Sequence, residues 1–82
     1  MSKVTVILSE QDLAEFLDDN QEYMEAYRAE LERRLTDYFG EADVSIDANA
    51  LTDKFQFDDD VEREMIDHIM NQMVNDWSWL RQ

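Results

Sequence analysis

The chain has no cysteine, no proline, one glycine and one histidine. Without cysteine there is no disulfide staple and no thiolate nucleophile. With His68 as the single imidazole, no zinc site of nitrogen and sulfur ligands can be assembled. Positive charge is also scarce: seven Lys and Arg, of which only Lys3 and Lys54 are lysines, stand against 21 Asp and Glu, a formal charge of −14. Such a field repels nucleic acid and anionic membrane and attracts basic surfaces. Direct nucleic-acid binding, which is driven by neutralising phosphates with Lys and Arg, is therefore not expected. Long apolar runs are missing too. The opening MSKVTVIL carries one lysine, an apolar stretch far shorter than a membrane span and no signal-type cleavage region, so a soluble, cytoplasmic protein is expected.

What is present argues for a packed fold. Hydrophobic residues make up 44% of the 82, with four Phe, three Tyr, two Trp and five Met, which is too apolar for a disordered chain. The length suits one domain, residues 1–82, as a monomer or small homo-oligomer. A chain this short buries only about 60–65% of its unfolded surface, so every element has to contribute apolar area.

Residues 3–8 read as a strand with Val4, Val6 and Leu8 on one face. Ser9 ends it, and Ser9 with Asp12 resembles a capping box that opens a helix at Glu10. Leu13, Phe16, Leu17, Met24, Tyr27, Leu31, Leu35 and Phe39 then recur at helical spacing. One helix over 10–39 would run about 45 Å, longer than a small domain is wide. A bend or break is therefore expected at Asp18-Asp19-Asn20, with Asp19 and Glu22 capping a restart, and Gly40 supplies the stop.

Val44, Ile46 and Ala48 alternate as a second strand, and Phe55 and Phe57 mark a third, with residues 49–53 expected as a hairpin loop between them. Asp58-Asp59-Asp60 is expected to cap and start the last helix, whose apolar side is Val61, Met65, Ile66, Ile69, Met70, Met73, Trp77 and Leu80. The expected fold is α+β in the order β-α-β-β-α. It has a three-stranded mixed sheet, the first two strands parallel and the last two antiparallel, and both helices on one face.

Opposite that apolar side lies a polar stripe of Asp60, Glu64, Asp67, Asn71 and Asn75, with Asp58, Asp59, Glu62 and Asp76 nearby. Carboxylates three or four residues apart on a helix stand about 5–6 Å apart. Such a row meets an Arg- and Lys-lined groove with charge-assisted hydrogen bonds comparable to those of a phosphate backbone. A second acidic face lies at Glu15, Asp18, Asp19, Glu22 and Glu25, with Glu30 and Glu32 beyond it. Arg33 and Arg34 are placed to pair with Glu30 and Asp37.

ELERRLTDYF at 30–39 and VSI at 44–46, followed by a hairpin and an acidic-started helix ending in WSWL, resemble the DinI family over residues 27–80. That family comprises small acidic bacterial, phage and plasmid proteins of the DNA-damage (SOS) response. The resemblance implies a modulator of the RecA-type recombinase filament, with Asp60, Glu64 and Asp67 imitating single-stranded DNA. Beyond Asp67 the stripe turns to Asn71, Gln72 and Asn75, so the acidic ridge is shorter here than that role suggests. A second expectation is a phage or plasmid DNA mimic that inhibits a restriction or CRISPR complex through both acidic faces. A third is an acidic assembly domain without mimicry, its charge serving solubility or salt adaptation.

Catalysis, cofactors and metals are not expected. His68 reads as a solvated helical residue, and the Asp58–Asp60 run lacks the glycine of a calcium loop. Met65, Met70 and Met73 read as core filling. Trp77 and Trp79, about 200° apart on a helix, cannot both face the sheet.

Overall fold

The computed structural model describes residues 2–58 and 61–76. They form β1 (Ser2–Ser9), α1 (Glu10–Phe16), α2 (Gln21–Phe39), β2 (Gly40–Asp47), β3 (Lys54–Phe57) and α3 (Arg63–Asn75). The fold is α+β, a three-stranded mixed sheet covered by helices, and the expected first helix is two helices rather than one bent rod. The molecule's longest dimension is 35 Å, which a continuous helix of about 45 Å would have overrun.

The break lies where Asp18 and Asp19 both take positive φ, 55° and 60°. The Asp19 amide reaches back to the Ala14 carbonyl at 2.8 Å, the six-to-one bond that closes a helix around a left-handed residue. Asn20, not Asp19, restarts the helix. Its Oδ1 accepts from the amides of Glu22 and Tyr23 at 3.1 and 3.2 Å. At the other end of α2, Gly40 adopts φ 102° and the chain passes directly into β2, a turn that a Cβ would obstruct.

The strand order is β2-β1-β3, with β1 parallel to β2 and antiparallel to β3. This corrects the expected β2–β3 hairpin. The second and third strands never pair, because β1 lies between them and residues 48–53 cross its end. β1 is the strand best suited to the centre, since Val4, Val6 and Leu8 are buried and both flanks can bond to it. The crossing is held by Ser9, which is fully buried. Its Oγ donates to the Ala50 carbonyl at 2.9 Å, and its amide donates to Asp53 Oδ1 at 2.8 Å. The capping box is thus only half formed. Ser9 Oγ accepts from the Asp12 amide at 3.5 Å, but the Ser9 amide goes to Asp53 instead of to Asp12.

The inward residues of the sheet, with Val44 added from β2, pack against Leu13, Leu17, Met24, Tyr27, Leu31, Leu35, Ile66, Ile69 and Met73 in one core. Burying each of the larger aliphatic side chains contributes about 1.5–3 kcal/mol. Among the described residues no buried side-chain nitrogen or oxygen lacks a hydrogen-bond partner. Among the described residues no helix covers the opposite sheet face, which carries Lys3, Glu41, Asp43, Ser45, Lys54 and Gln56 in the outward register. β2 also begins earlier than expected and ends at Asp47, which leaves Ala48 in the turn.

The last helix starts later than the acidic run implied. Its N-cap position is Glu62, with no side-chain cap bond, and its first turn contains Arg63 and Glu64. Asp58 instead accepts from the Lys3 amide at 3.1 Å and, through its carbonyl, from Val61, so it ties the end of β3 to the start of β1. Of the methionines read as core filling, Met73 is fully buried and Met65 and Met70 are half-buried. Asp59, Asp60, Trp77, Trp79 and Leu80 lie outside the described residues.

Candidate functional site

On α3 the described acidic residues are Glu64 and Asp67, both exposed, one helical step apart and backed by the buried Ile66, Ile69 and Met73. These buried side chains seat α3 on the core. The ridge itself is sparse. Asp67 accepts from Arg63 Nε at 3.2 Å, and the stripe continues as Asn71 and Asn75 without charge. Glu62 and Asp76 flank the helix at its two cap positions, both exposed, and Asp58 sits at the end of β3. Asp60 lies outside the described residues. His68 is exposed on the same helix, with its Nε2 3.2 Å from Gln72 Nε2.

The second acidic face gathers around the corner between α1 and α2. Glu15 is exposed on α1, Asp18 and Asp19 occupy the left-handed turn, and Glu22 and Glu25 follow in the first turns of α2. Among the described residues Glu15, Asp18, Asp19 and Glu22 enter no ion pair, whereas Glu25 is held by Arg28 at 2.6 Å. That hydrogen bond from Arg28 lowers the pKa of Glu25 below its ordinary value, against a small opposing effect of burial.

The arginines of α2 are consumed by the molecule itself. Arg33 pairs with Glu30 at 2.7 Å and Asp37 at 2.9 Å, and Arg34 pairs with Glu30 at 2.8 Å, as the spacing predicts. The pKa of Glu30 falls to about 2, mainly through the bond from Arg33, with burial opposing and Arg34 adding to it. Arg28 and Glu32 perform a task the sequence did not suggest. Arg28 Nη1 donates to the Val44 carbonyl at 3.0 Å, and Glu32 Oε1 accepts from the Val44 amide at 3.0 Å, closing the outer edge of β2. The arginines of α2 are thus engaged from Glu25 onward, and among the described residues Glu15, Asp18, Asp19 and Glu22 at the corner are outside these pairs.

Between α1 and α3 lies a groove of about 650 Å³ floored by Leu8, Tyr27 and Phe55 and bordered by Asp12, Asp53 and Asp67. Sequence reasoning missed it, since it depends on Asp53 being drawn across the end of β1. Tyr27 is 4% exposed, and burial, with Asp53 nearby, pushes its hydroxyl up to about 12.

Among the described residues no three His, Cys, Asp or Glu side chains converge in a way that could hold a metal ion. Nor is any helix there long and apolar enough to cross a membrane. No family model, curated protein or solved structure matches the chain.

Proposed function

We propose that this is a non-enzymatic, cytoplasmic binding protein that imitates DNA toward a basic nucleic-acid-binding protein. The single observation that carries the reading is that a packed scaffold presents exposed carboxylates which, among the described residues, enter no ion pair. Glu64 on α3 and Glu15, Asp18, Asp19 and Glu22 at the α1–α2 corner all present charge from a packed scaffold. A stiff scaffold matters because a flexible acidic tail would lose conformational entropy on docking. The resemblance to the DinI family makes a RecA-type filament in the SOS response the first partner to test.

The corner supports a second reading. Among the described residues the corner holds four carboxylates outside any ion pair, more than the described part of α3 offers, so two acidic fronts can address a duplex-binding site. A phage or plasmid inhibitor of a restriction or CRISPR complex would use such an arrangement.

Two charge reversals separate these readings. Glu64→Lys with Asp67→Lys alters α3, and Asp18→Lys with Glu22→Lys alters the corner, all at exposed positions. Each is tested for capture of RecA filaments and of proteins from a bacterial lysate, with circular dichroism as the check on folding. Loss of RecA capture in the α3 variant alone supports the filament reading. Loss of a different captured protein in the corner variant supports the second. Capture that survives both reversals refutes mimicry by these faces.

A further inference from the structure

We propose that the outer edge of β3 pairs with the same edge of a second copy of this chain, so that two three-stranded sheets join across a two-fold axis. The inference goes beyond the reading of DNA mimicry and does not depend on it.

The two edges of the sheet are treated differently. On β2 the outward amide and carbonyl of Val44 are taken by Glu32 and Arg28, each at 3.0 Å, which blocks the middle of that edge to a further strand. On β3 the direction of each backbone group follows from its neighbours. The Lys3 amide bonds Asp58 and the Ser9 amide bonds Asp53, one beyond each end of β3, so Thr5 and Ile7, at the alternate positions between them, also turn toward β3. Their partners Gln56 and Lys54 are then the hydrogen-bonded positions of the ladder, and the amides and carbonyls of Phe55 and Phe57 point away from the sheet. Among the described residues no hydrogen bond reaches these outward groups.

This edge is complementary to itself. Antiparallel pairing about an axis at Gln56 sets Phe55 of one copy opposite Phe57 of the other, where the two residues exchange both backbone bonds. In that register Gln56 meets Gln56, and Lys54 stands opposite Asp58 twice per dimer. Lys54 is exposed and enters no ion pair among the described residues. Asp58 is exposed as well, and only one of its carboxylate oxygens is engaged, by the Lys3 amide. Opposite charges directly across a strand pair stabilise it, whereas moving the axis to Phe55 would set Lys54 against Gln56. The charge order therefore selects both a second copy and its register. Phe57, 38% exposed in the single chain, is partly covered on pairing. Two short strands bury little area and each copy carries a formal charge of −14, so the association is weak, and it stops at two copies while the clamp on β2 holds.

Sedimentation equilibrium of the full chain should show a mass rising from 9.8 kDa toward twice that value as concentration approaches about 1 mM. Lys54→Glu and Asp58→Lys each place like charges opposite one another in both pairs, and should each weaken dimerisation about tenfold. An equimolar mixture of the two variants restores opposite charges in both pairs and should associate as the parent does. Asp58→Lys also removes the acceptor of the Lys3 amide, so circular dichroism checks its fold, and a thiol cross-link gives a readout that does not involve it. Gln56→Cys, in a chain without other cysteines, should form a disulfide dimer under mild oxidation at least about tenfold faster than Ser45→Cys, an exposed thiol on β2, because a non-bonded antiparallel pair sets the two Cα atoms about 4.5 Å apart. A parent that stays at 9.8 kDa near about 1 mM, a mixture that associates no better than either variant alone, or equal cross-linking rates would overturn the dimer.

Discussion

Replacing Ser9 with alanine should be the most damaging single-atom change in this fold. The hydroxyl has two jobs, both measurable from its geometry. It caps α1 by accepting from the Asp12 amide, a long bond at 3.5 Å that places its loss at the lower end of cap effects, about 0.5–1 kcal/mol. It also donates to the Ala50 carbonyl at 2.9 Å in a buried setting, so its removal strands an acceptor away from water at a cost of about 1–3 kcal/mol. Together these predict about 2–3 kcal/mol, or a melting temperature lower by about 10–20 °C in a domain of this size. Urea denaturation measures the first quantity and calorimetry the second. Because Ser9 and Asp53 hold the 48–53 crossing against the end of β1, amide exchange should also quicken at Ala50 and Asp53. A Ser9→Ala protein within about 0.5 kcal/mol of the parent would refute the claim that this buried hydroxyl anchors the crossing.

Three further outcomes follow from the side-chain network. Removing the clamp on β2 with Arg28→Ala and Glu32→Ala should cost about 1–2 kcal/mol and expose the edge, so sedimentation should show association that grows with concentration. Tyr27, with its hydroxyl raised from 10 to about 12 by burial, holds its proton more tightly folded than unfolded. Its stabilising effect is complete below pH 10 and is lost as pH rises through about 12, so alkaline unfolding should coincide with a late phenolate absorbance step that Tyr27→Phe removes. Glu30 has the opposite sign. Its carboxyl is held at about 2 against 4.5, so its contribution is present above pH 4.5 and fades as pH falls toward 2. The melting deficit of Glu30→Gln at neutral pH should therefore close over that interval.

The elements whose evidence is local were readable from the chain. The alternation of Val4, Val6 and Leu8, the Ser9 cap, the apolar spacing from Leu13 to Phe39 and the stop at Gly40 each depend on neighbours within a few residues, and each is found in place. The break at Asp18–Asn20 was readable from weak helical residues, although the capping task fell one residue later than expected. The pairing of β3 was not readable. Two short strands joined by 48–53 look like a hairpin until β1 is recognised as the strand that profits most from two partners. The start of α3 was displaced because three consecutive aspartates suggest a cap wherever they occur, whereas Asp58 is engaged by Lys3, a residue 55 positions away.

The acidic faces show the same division. That Glu15, Glu22, Glu25, Glu64 and Asp67 are exposed follows from helical spacing, and that Asp18 and Asp19 are exposed follows from the break between the two helices. Which of them remain without a cation does not. Arg28 and Arg63 each choose among several acids within reach, and the choice leaves the α1–α2 corner less compensated than α3. The groove between α1 and α3 lay beyond sequence reasoning altogether, because the tie between Ser9 and Asp53 spans 44 positions.

Competition with DNA tests the account most directly. The captured partner is bound to fluorescently labelled protein, and unlabelled single- or double-stranded DNA is added while anisotropy is followed at constant ionic strength. The account predicts full displacement at DNA concentrations set by the partner's own affinity for DNA. A complex that persists under saturating DNA would contradict it.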